Sequence, residues 1–138
     1  MALARFAARA RRAAGVSGRV DILIASSREI QELNRQFRRK NKPTDVLSFP
    51  AGNAARGIAG DIAISADIAA ENAYRLGHEP VDELKILILH GMLHLAGYDH
   101  ESDSGEMARE EERLRKELKL TDNLIARANG AGARRRRR

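Results

Sequence analysis

Residues 81–100, VDELKILILHGMLHLAGYDH, contain a segment that is apolar on almost every side of a helix. Surface helices keep a polar face, so a helix without one is buried. We therefore predict that residues 81–97 form a buried helix at the centre of the fold. Asp82 is the expected N-cap of this helix, and Gly97 is its expected end.

The segments around this helix alternate between strand-like and helix-like patterns. Strands are predicted at residues 20–26, 45–49 and 60–65, and further helices at 2–14, 28–37, 66–77 and 102–120. Short strands separated by helices indicate a layered α+β or α/β domain, with three or four strands and helices on one or both faces. No linker divides the chain, so one compact domain is expected over residues 1–126.

Apolar residues three or four positions apart mark the side of each helix that faces the core. Ser27 is the expected N-cap of the second helix. The residues expected to face inward are Leu3, Phe6 and Ala10 in the first helix, Ile30, Leu33, Asn34 and Phe37 in the second, and Met107, Leu114 and Leu118 in the last. His78 is expected on a surface loop.

The 138 residues include no cysteine, so a metal ion would have to bind histidine, carboxylate or water. No apolar run is long enough to cross a bilayer and no secretory signal is evident, which predicts a cytoplasmic protein without membrane contact. Arg134–Arg138 supply five units of the net charge of +6. Residues 127–138 are expected to form a disordered arginine-rich tail, either simply solvated or in contact with nucleic acid. A second basic stretch, RQFRRKNK, occupies residues 35–42.

Three of the four histidines lie in the last part of the quoted stretch. His90 and His94 stand four residues apart, so their rings project from one face of a helix. Gly97 lets the chain reverse and return His100 to the same point. Three imidazoles leave the fourth position of a tetrahedral Zn²⁺ open, as in catalytic sites, although imidazole also binds other divalent metals. The sequence thus predicts one metal ion, Zn²⁺ by preference, bound by His90, His94 and His100.

A zinc peptidase is one function that such a site could serve. In the H-E-x-x-H peptidases the glutamate after the first histidine is the general base. Gly91 occupies that position here and cannot accept a proton. A zinc hydrolase of peptides or small molecules stays open only if a carboxylate from elsewhere replaces this base.

The eleven residues HGMLHLAGYDH (90–100) resemble the signature of the YbeY-type endoribonucleases, the bacterial rRNA maturation factors. FRRKNKPTDVLSFP (37–50) resembles the second block of that family, and GDIAIS (60–65) resembles its third. The blocks occur in the family's order, and the resemblance covers the chain from near residue 20 to near residue 120.

The resemblance implies a metal-dependent endoribonuclease that cleaves single-stranded RNA, in rRNA maturation at the 3′ end of 16S rRNA and in ribosome quality control. It implies that His90, His94 and His100 are the metal ligands and that Arg38 is the functional arginine. The implied fold is a compact α+β domain with a small mixed sheet, about five helices and a metal site at the end of the buried helix. The family usually has a strand before its first helix, so the sheet is expected to lack that strand or the N-terminus to be shortened.

The implied partners are rRNA, the small ribosomal subunit and its assembly factors, and the chain is expected to act as a monomer. A non-catalytic ribosome-assembly factor with a structural metal stays open as a further alternative. The chain has only two tyrosines and three phenylalanines, which argues against an aromatic stacking platform for bases.

Two residues keep alternative interpretations. RNA cleavage places negative charge on phosphoryl oxygens, which a metal ion and a guanidinium both stabilise. Arg38 can supply that guanidinium, or it can belong to a solvated basic loop. Asp99 is either a hydrogen-bond partner of a ligand histidine or a turn residue.

Overall fold

The computed structural model describes residues 2–38, 44–51, 57–99 and 102–120, with Arg38 described by its backbone alone. In these ranges the elements are α1 (Ala2–Ala13), β1 (Arg19–Ala25), α2 (Ser27–Arg38), β2 (Val46–Pro50), β3 (Ile58–Ser65), α3 (Ala66–Leu76), α4 (Pro80–Leu95) and α5 (Glu106–Glu117). The predicted single α+β domain with a small sheet and five helices is confirmed. The predicted domain end at residue 126 and the tail at 127–138 lie outside the described residues.

The strands form one mixed sheet in the order β1-β3-β2. β1 is parallel to β3, and β2 is antiparallel to it. Side chains alternate along a strand, so Ile62 and Ala63 of β3 point to opposite faces of the sheet. Ile62 belongs to a large buried cluster with residues of α1, α3, α4 and α5, whereas Ala63 joins Ile30 and Leu47 in a cluster of three. We call these faces the four-helix face and the α2 face.

α4 is the buried helix that the sequence predicts. Every residue from Ile86 to Leu93 is buried on the four-helix face. The helix ends at Leu95, and Gly97 takes a φ of 105°, a conformation that glycine adopts readily. The predicted C-terminal boundary of this helix is therefore confirmed to within two residues.

The predicted N-cap of α4 at Asp82 is wrong. The N-cap is Glu79, and Asp82 is the third helical residue, whose side chain accepts a hydrogen bond from the Glu79 N–H at 3.3 Å. The helix starts earlier because Pro80 fits its first position, where the missing N–H of proline has no helical partner to lose.

The N-cap of α2 is Ser26 rather than Ser27. The Glu29 N–H donates to Ser26 Oγ at 3.2 Å, and the Ser26 N–H donates to Glu29 Oε1 at 3.0 Å. This reciprocal pair is a capping box, which requires a glutamate three residues after the cap. Glu29 lies three residues after Ser26, whereas the residue three positions after Ser27 is Ile30.

The inward side of α2 is only partly as predicted. Ile30 and Asn34 are buried and Leu33 is half-buried. Phe37 is 65% exposed, although it follows Ile30 by two helical turns on nearly the same side. The prediction fails because the buried cluster of the α2 face ends before the last turn of α2.

His78 lies between α3 and α4, but the expectation of a surface residue is wrong. Its Nε2 is 2.9 Å from Oε1 of Glu83, which is fully buried. The predicted inward residues of the first and last helices are confirmed as buried or partly buried: Leu3, Phe6, Ala10, Met107, Leu114 and Leu118. No helix within the described ranges is long and apolar enough to cross a bilayer.

Candidate metal centre

His90 and His94 lie on one side of α4 at its C-terminal end, as their spacing predicts. Their Nε2 atoms are 3.2 Å apart, and the ring centroids are 4.8 Å apart with the planes at 78°. His90 is 6% exposed, whereas His94 is half-buried. The pair therefore forms a site that is closed on the His90 side and more accessible at His94.

The Nδ1 atoms of both rings face hydrogen-bond acceptors. His90 Nδ1 is 2.8 Å from Oε2 of Glu111, a residue of α5 that is 1% exposed. His94 Nδ1 is 3.0 Å from the backbone carbonyl oxygen of Tyr98, which the turn at Gly97 brings back over the helix end. A carbonyl oxygen only accepts hydrogen bonds, and carboxylate oxygens accept them as well, so both contacts suit rings in which Nδ1 is the donor.

In rings with Nδ1 as the donor, Nε2 is the nitrogen that can bind a metal ion, and the two Nε2 atoms are 3.2 Å apart. Two nitrogen ligands of a tetrahedral Zn²⁺ with Zn–N distances of about 2.0–2.1 Å are about 3.3–3.4 Å apart. His90 and His94 fit two ligand positions of such an ion, with each ring oriented by its other nitrogen as metal-bound histidines usually are.

Neither the third predicted ligand nor the side chain of the predicted arginine belongs to the described residues, so their positions relative to the pair are not established. The ligand is His100, and the arginine is Arg38, the last residue of α2, of which only the backbone is described. Within the part of the chain that the structure describes, no three histidine or acidic side chains are arranged to hold a metal ion. The assignments of His100 and Arg38 therefore stay predictions.

Close packing against the sheet explains why residue 91 is a glycine, which the sequence alone did not indicate. A Cβ atom at this position would lie 2.9 Å from Cγ2 of Ile62, which is fully buried in β3. In addition, Ser48 Oγ of β2 donates to the Gly91 carbonyl oxygen at 3.1 Å. The glycine lets the histidine-bearing turn of α4 lie close against the sheet, where a glutamate could not fit.

Glu111 is a site residue that the sequence interpretation missed. It lies four residues after Met107 and three before Leu114, so it falls on the buried side of α5. A carboxylate on an otherwise apolar helix side is the signal that could have indicated it. Asp99 Oδ2 accepts a hydrogen bond from Ser102 Oγ at 3.0 Å, which fits the turn role, and its role as a partner of a ligand histidine stays a prediction.

The basic stretch at residues 35–42 is partly neutralised within α2. Arg35 forms a two-point ion pair with Glu32. The side-chain hydrogen bond from Arg35 lowers the pKa of the Glu32 carboxyl, and the same bond raises the pKa of the Arg35 guanidinium. Arg35 therefore contributes little net positive charge to this stretch, and the remaining positive charge comes from the basic residues that follow it in the sequence.

Residues 2–119 match the family model described as Endoribonuclease YbeY. The chain belongs to the YbeY endoribonuclease family. It is 62% identical over 125 residues to Endoribonuclease YbeY of Koribacter versatilis, an alignment that covers 91% of this chain and 81% of that protein. It is 48% identical over 108 residues to Endoribonuclease YbeY of Nautilia profundicola, with 78% of each chain covered.

The fold is also similar to that of a solved structure. The solution structure of a Thermotoga maritima protein superposes with a TM-score of 0.59 at 34% identity, covering 84% of this chain and 78% of that one. The family model and these relatives confirm the resemblance inferred from residues 90–100 and from the blocks at 37–50 and 60–65.

Proposed function

We propose that this YbeY-family chain is a metal-dependent endoribonuclease that cleaves single-stranded RNA during rRNA maturation. Membership of the family supports RNA cleavage and the role in rRNA maturation. The observation that carries the metal dependence is the His90–His94 pair. Its Nε2 atoms face each other at 3.2 Å while both Nδ1 atoms are held by acceptors.

In this proposal His90, His94 and His100 hold one ion, preferably Zn²⁺. When bound, a Zn²⁺ ion supplies Lewis-acid chemistry: it lowers the pKa of water and polarises a phosphoryl oxygen. Glu111 and the Tyr98 carbonyl keep two of the rings turned with Nε2 toward the ion. The ligands are thereby oriented before the ion arrives, which reduces the cost of ordering them on binding.

Arg38 is proposed as the residue that stabilises charge on the RNA. A guanidinium stays charged and binds two phosphate oxygens with its planar fork, so it opposes the negative charge that develops on the non-bridging oxygens. The attacking group is water or the 2′-hydroxyl of the RNA itself. Arg38 follows Phe37, whose ring contacts Phe49 of β2.

The proposed setting is the cytoplasm, with the 3′ end of 16S rRNA as a substrate and a part in ribosome quality control. The chain is proposed to act there as a monomer, with the small ribosomal subunit and its assembly factors as partners. The family resemblance in residues 90–100 supports this setting.

A zinc hydrolase of peptides is less well supported by the geometry. That function needs a carboxylate base on the Nε2 side of the histidine pair. Among the described residues, Glu111 is a carboxylate that contacts the pair, but it contacts Nδ1 of His90, on the opposite side of the ring. It therefore supports a ligand and is not placed to act as a base.

Cleavage of a single-stranded RNA oligonucleotide by the purified protein, with metal content measured on the same samples, tests the proposal. His94→Ala should lose both the metal and the activity. Arg38→Glu should keep the metal and lose activity, whereas Arg28→Glu, the same charge change at the exposed start of α2, should cleave like the wild type.

Two outcomes would contradict the proposal. Equal cleavage by wild type and both site variants would mean a contaminating nuclease and a wrong site. RNA binding without cleavage by the metal-loaded wild type would favour the non-catalytic assembly factor.

A further inference from the structure

Phe37 is exposed where its helical position would bury it. Phe37 is 65% exposed at the last turn of α2, and its ring meets that of Phe49 edge-on, with the centroids 5.6 Å apart and the planes at 70°. This contact holds one edge of the ring and leaves much of its surface open to solvent. An exposed phenylalanine held in this way offers a flat apolar face to a ligand.

That ring borders an open cleft of about 1060 Å³ on the α2 face. The apolar walls come from Leu23 of β1, Leu33 and Phe37 of α2, and Phe49 of β2. Asp61 of β3 also lines the cleft and is the register partner of Phe49, so both side chains lie on the same face of the sheet. Among the described residues, Asp61 makes no side-chain hydrogen bond or ion pair.

The cleft lies at the end of the sheet that also contacts the histidine-bearing turn of α4. A Cβ atom on Gly60, one residue before Asp61, would lie 2.9 Å from Cδ2 of Leu95 and would also meet backbone atoms of Phe49 and Pro50. Leu95 directly follows His94. The ends of β2 and β3 therefore border both the cleft and the turn of α4 that carries His94.

We propose that this cleft binds one nucleobase of the RNA substrate, stacked on Phe37 and with an amino group donating to Asp61. The proposal rests on the proposed endoribonuclease function. Nucleobases of single-stranded RNA have two apolar faces and a hydrogen-bonding edge, which matches apolar walls with a carboxylate beside them. A carboxylate accepts from the amino groups of cytosine, adenine or guanine, and uracil has no such group.

The acidic side chains that line the cleft, Asp21 and Asp61, favour a ligand with hydrogen-bond donors, such as the amino groups of bases, over an apolar protein segment as the occupant. Phe37 is followed in the sequence by Arg38, Arg39, Lys40 and Lys42, a composition typical of segments that contact RNA phosphates. An apolar peptide would leave the Asp61 carboxylate without a partner and would gain nothing from this basic stretch. Stacking of a single base on Phe37 also explains why this residue stays exposed beside Phe49, and it needs no extended aromatic platform of the kind that the composition argues against.

The test measures KM and kcat for cleavage, and binding by fluorescence anisotropy, with single-stranded adenine, cytosine and uracil hexanucleotides. Phe37→Ala should weaken binding and raise KM roughly 5- to 150-fold, the range that loss of one stacked base corresponds to, with little change in kcat. Phe37→Trp should restore binding, and Phe37→Leu should not. Tyr74→Ala removes an aromatic ring that is 91% exposed on α3 and should change nothing.

Asp61→Asn should reduce the preference for adenine and cytosine over uracil. If the wild type cleaves RNA and the Phe37→Ala variant binds and cleaves RNA equally well, the base-binding subsite is refuted and the endoribonuclease function stands. This holds also if the variant has lost binding to a protein, because the cleft would then be a protein-binding site. If Phe37→Ala, Phe37→Leu and Phe37→Trp all weaken RNA binding equally, stacking on residue 37 is also refuted. If the wild type neither binds nor cleaves any hexanucleotide, the endoribonuclease function itself fails.

Discussion

The two faces of the sheet are packed very differently. On the four-helix face, Ile62 and Ile64 belong to a large cluster to which four helices contribute, and His90 and Glu111 are buried beside it. On the α2 face the buried cluster consists of Ile30, Leu47 and Ala63, next to an open cleft. One sheet thus has a rigid side and a thinly covered side.

This difference matches two different demands on the site. Metal ligands need fixed positions, and dense packing with buried hydrogen bonds provides them. A surface that receives a flexible single strand needs open apolar area and local freedom to adjust, which thin packing permits. The comparison predicts that substitutions on the four-helix face affect stability and metal binding, whereas those on the α2 face chiefly affect substrate contact.

The largest expected difference is between two leucines, one on each face. Leu87→Ala in α4 should lower the free energy of unfolding by about 4–5 kcal/mol, and Leu47→Ala in β2 by nearer 2 kcal/mol. Both side chains are buried, but neighbours of Leu87 are held by several helices and cannot close the cavity. Urea unfolding of the two variants measures the difference, and equal losses would show that the faces are equally rigid.

Glu111→Ala should reduce metal affinity about 10- to 100-fold, because His90 loses the acceptor that orients its ring. Competition with a chromophoric chelator measures this affinity without relying on activity. Glu111→Gln should lose less, since its amide oxygen can still accept from Nδ1.

Glu110→Gln is the matched control for this change. Glu110 is the neighbouring residue on α5 but pairs with the exposed Arg113. Its substitution should leave metal affinity unchanged. If the Glu110 and Glu111 variants weaken binding equally, the effect is one of general charge and not of ring orientation.

Gly91→Ala should lower the free energy of unfolding by about 1–3 kcal/mol, because the added methyl group meets Ile62 in a packed region. Helix propensity alone predicts the opposite, a gain of up to about 1 kcal/mol. Thermal or urea unfolding separates the two. Adding Ile62→Val, which removes a methyl group from the contact, should recover part of the loss.

Features that depend on nearby residues could be predicted from the sequence. The burial of α4 follows from its apolar composition, and the shared side of His90 and His94 follows from helix geometry alone. The end of the helix near Gly97 follows from the conformational freedom of glycine. These parts needed no knowledge of which elements pack together.

Features that depend on distant packing could not be predicted. Glu111 follows His90 by 21 residues, and only the packing of α5 against α4 joins them. Phe37 has the helical phase of a buried residue, but its burial depends on how far the cluster on the α2 face extends. The same limit applies to His78, whose partner Glu83 is fixed by the start of α4 at Pro80.

The smallest expected effect concerns the attachment of α2 to α3. Asp67 Oδ2 accepts a hydrogen bond from the Ser27 N–H at 2.9 Å, and this bond, followed by one from the Ser27 side chain, lowers the pKa of Asp67 below its ordinary 3.8. Because the folded pKa is the lower one, the stabilisation is fully present above pH 4 and is lost as the pH falls through the folded pKa. Asp67→Asn should remove this small acid-dependent part of the stability, as followed by urea unfolding between pH 2 and pH 6.

Ser27→Pro sharpens the same test, because proline removes the N–H donor yet suits the first position of a helix. Asp67→Asn should have no further effect on the pH dependence in that background, since the bond it removes is already absent. A full effect of Asp67→Asn in the Ser27→Pro protein would mean that the carboxylate stabilises α2 through another group. In that case an additional interaction of the Asp67 carboxylate would attach α2 to α3. The difference in packing between the α2 face and the four-helix face would then be smaller.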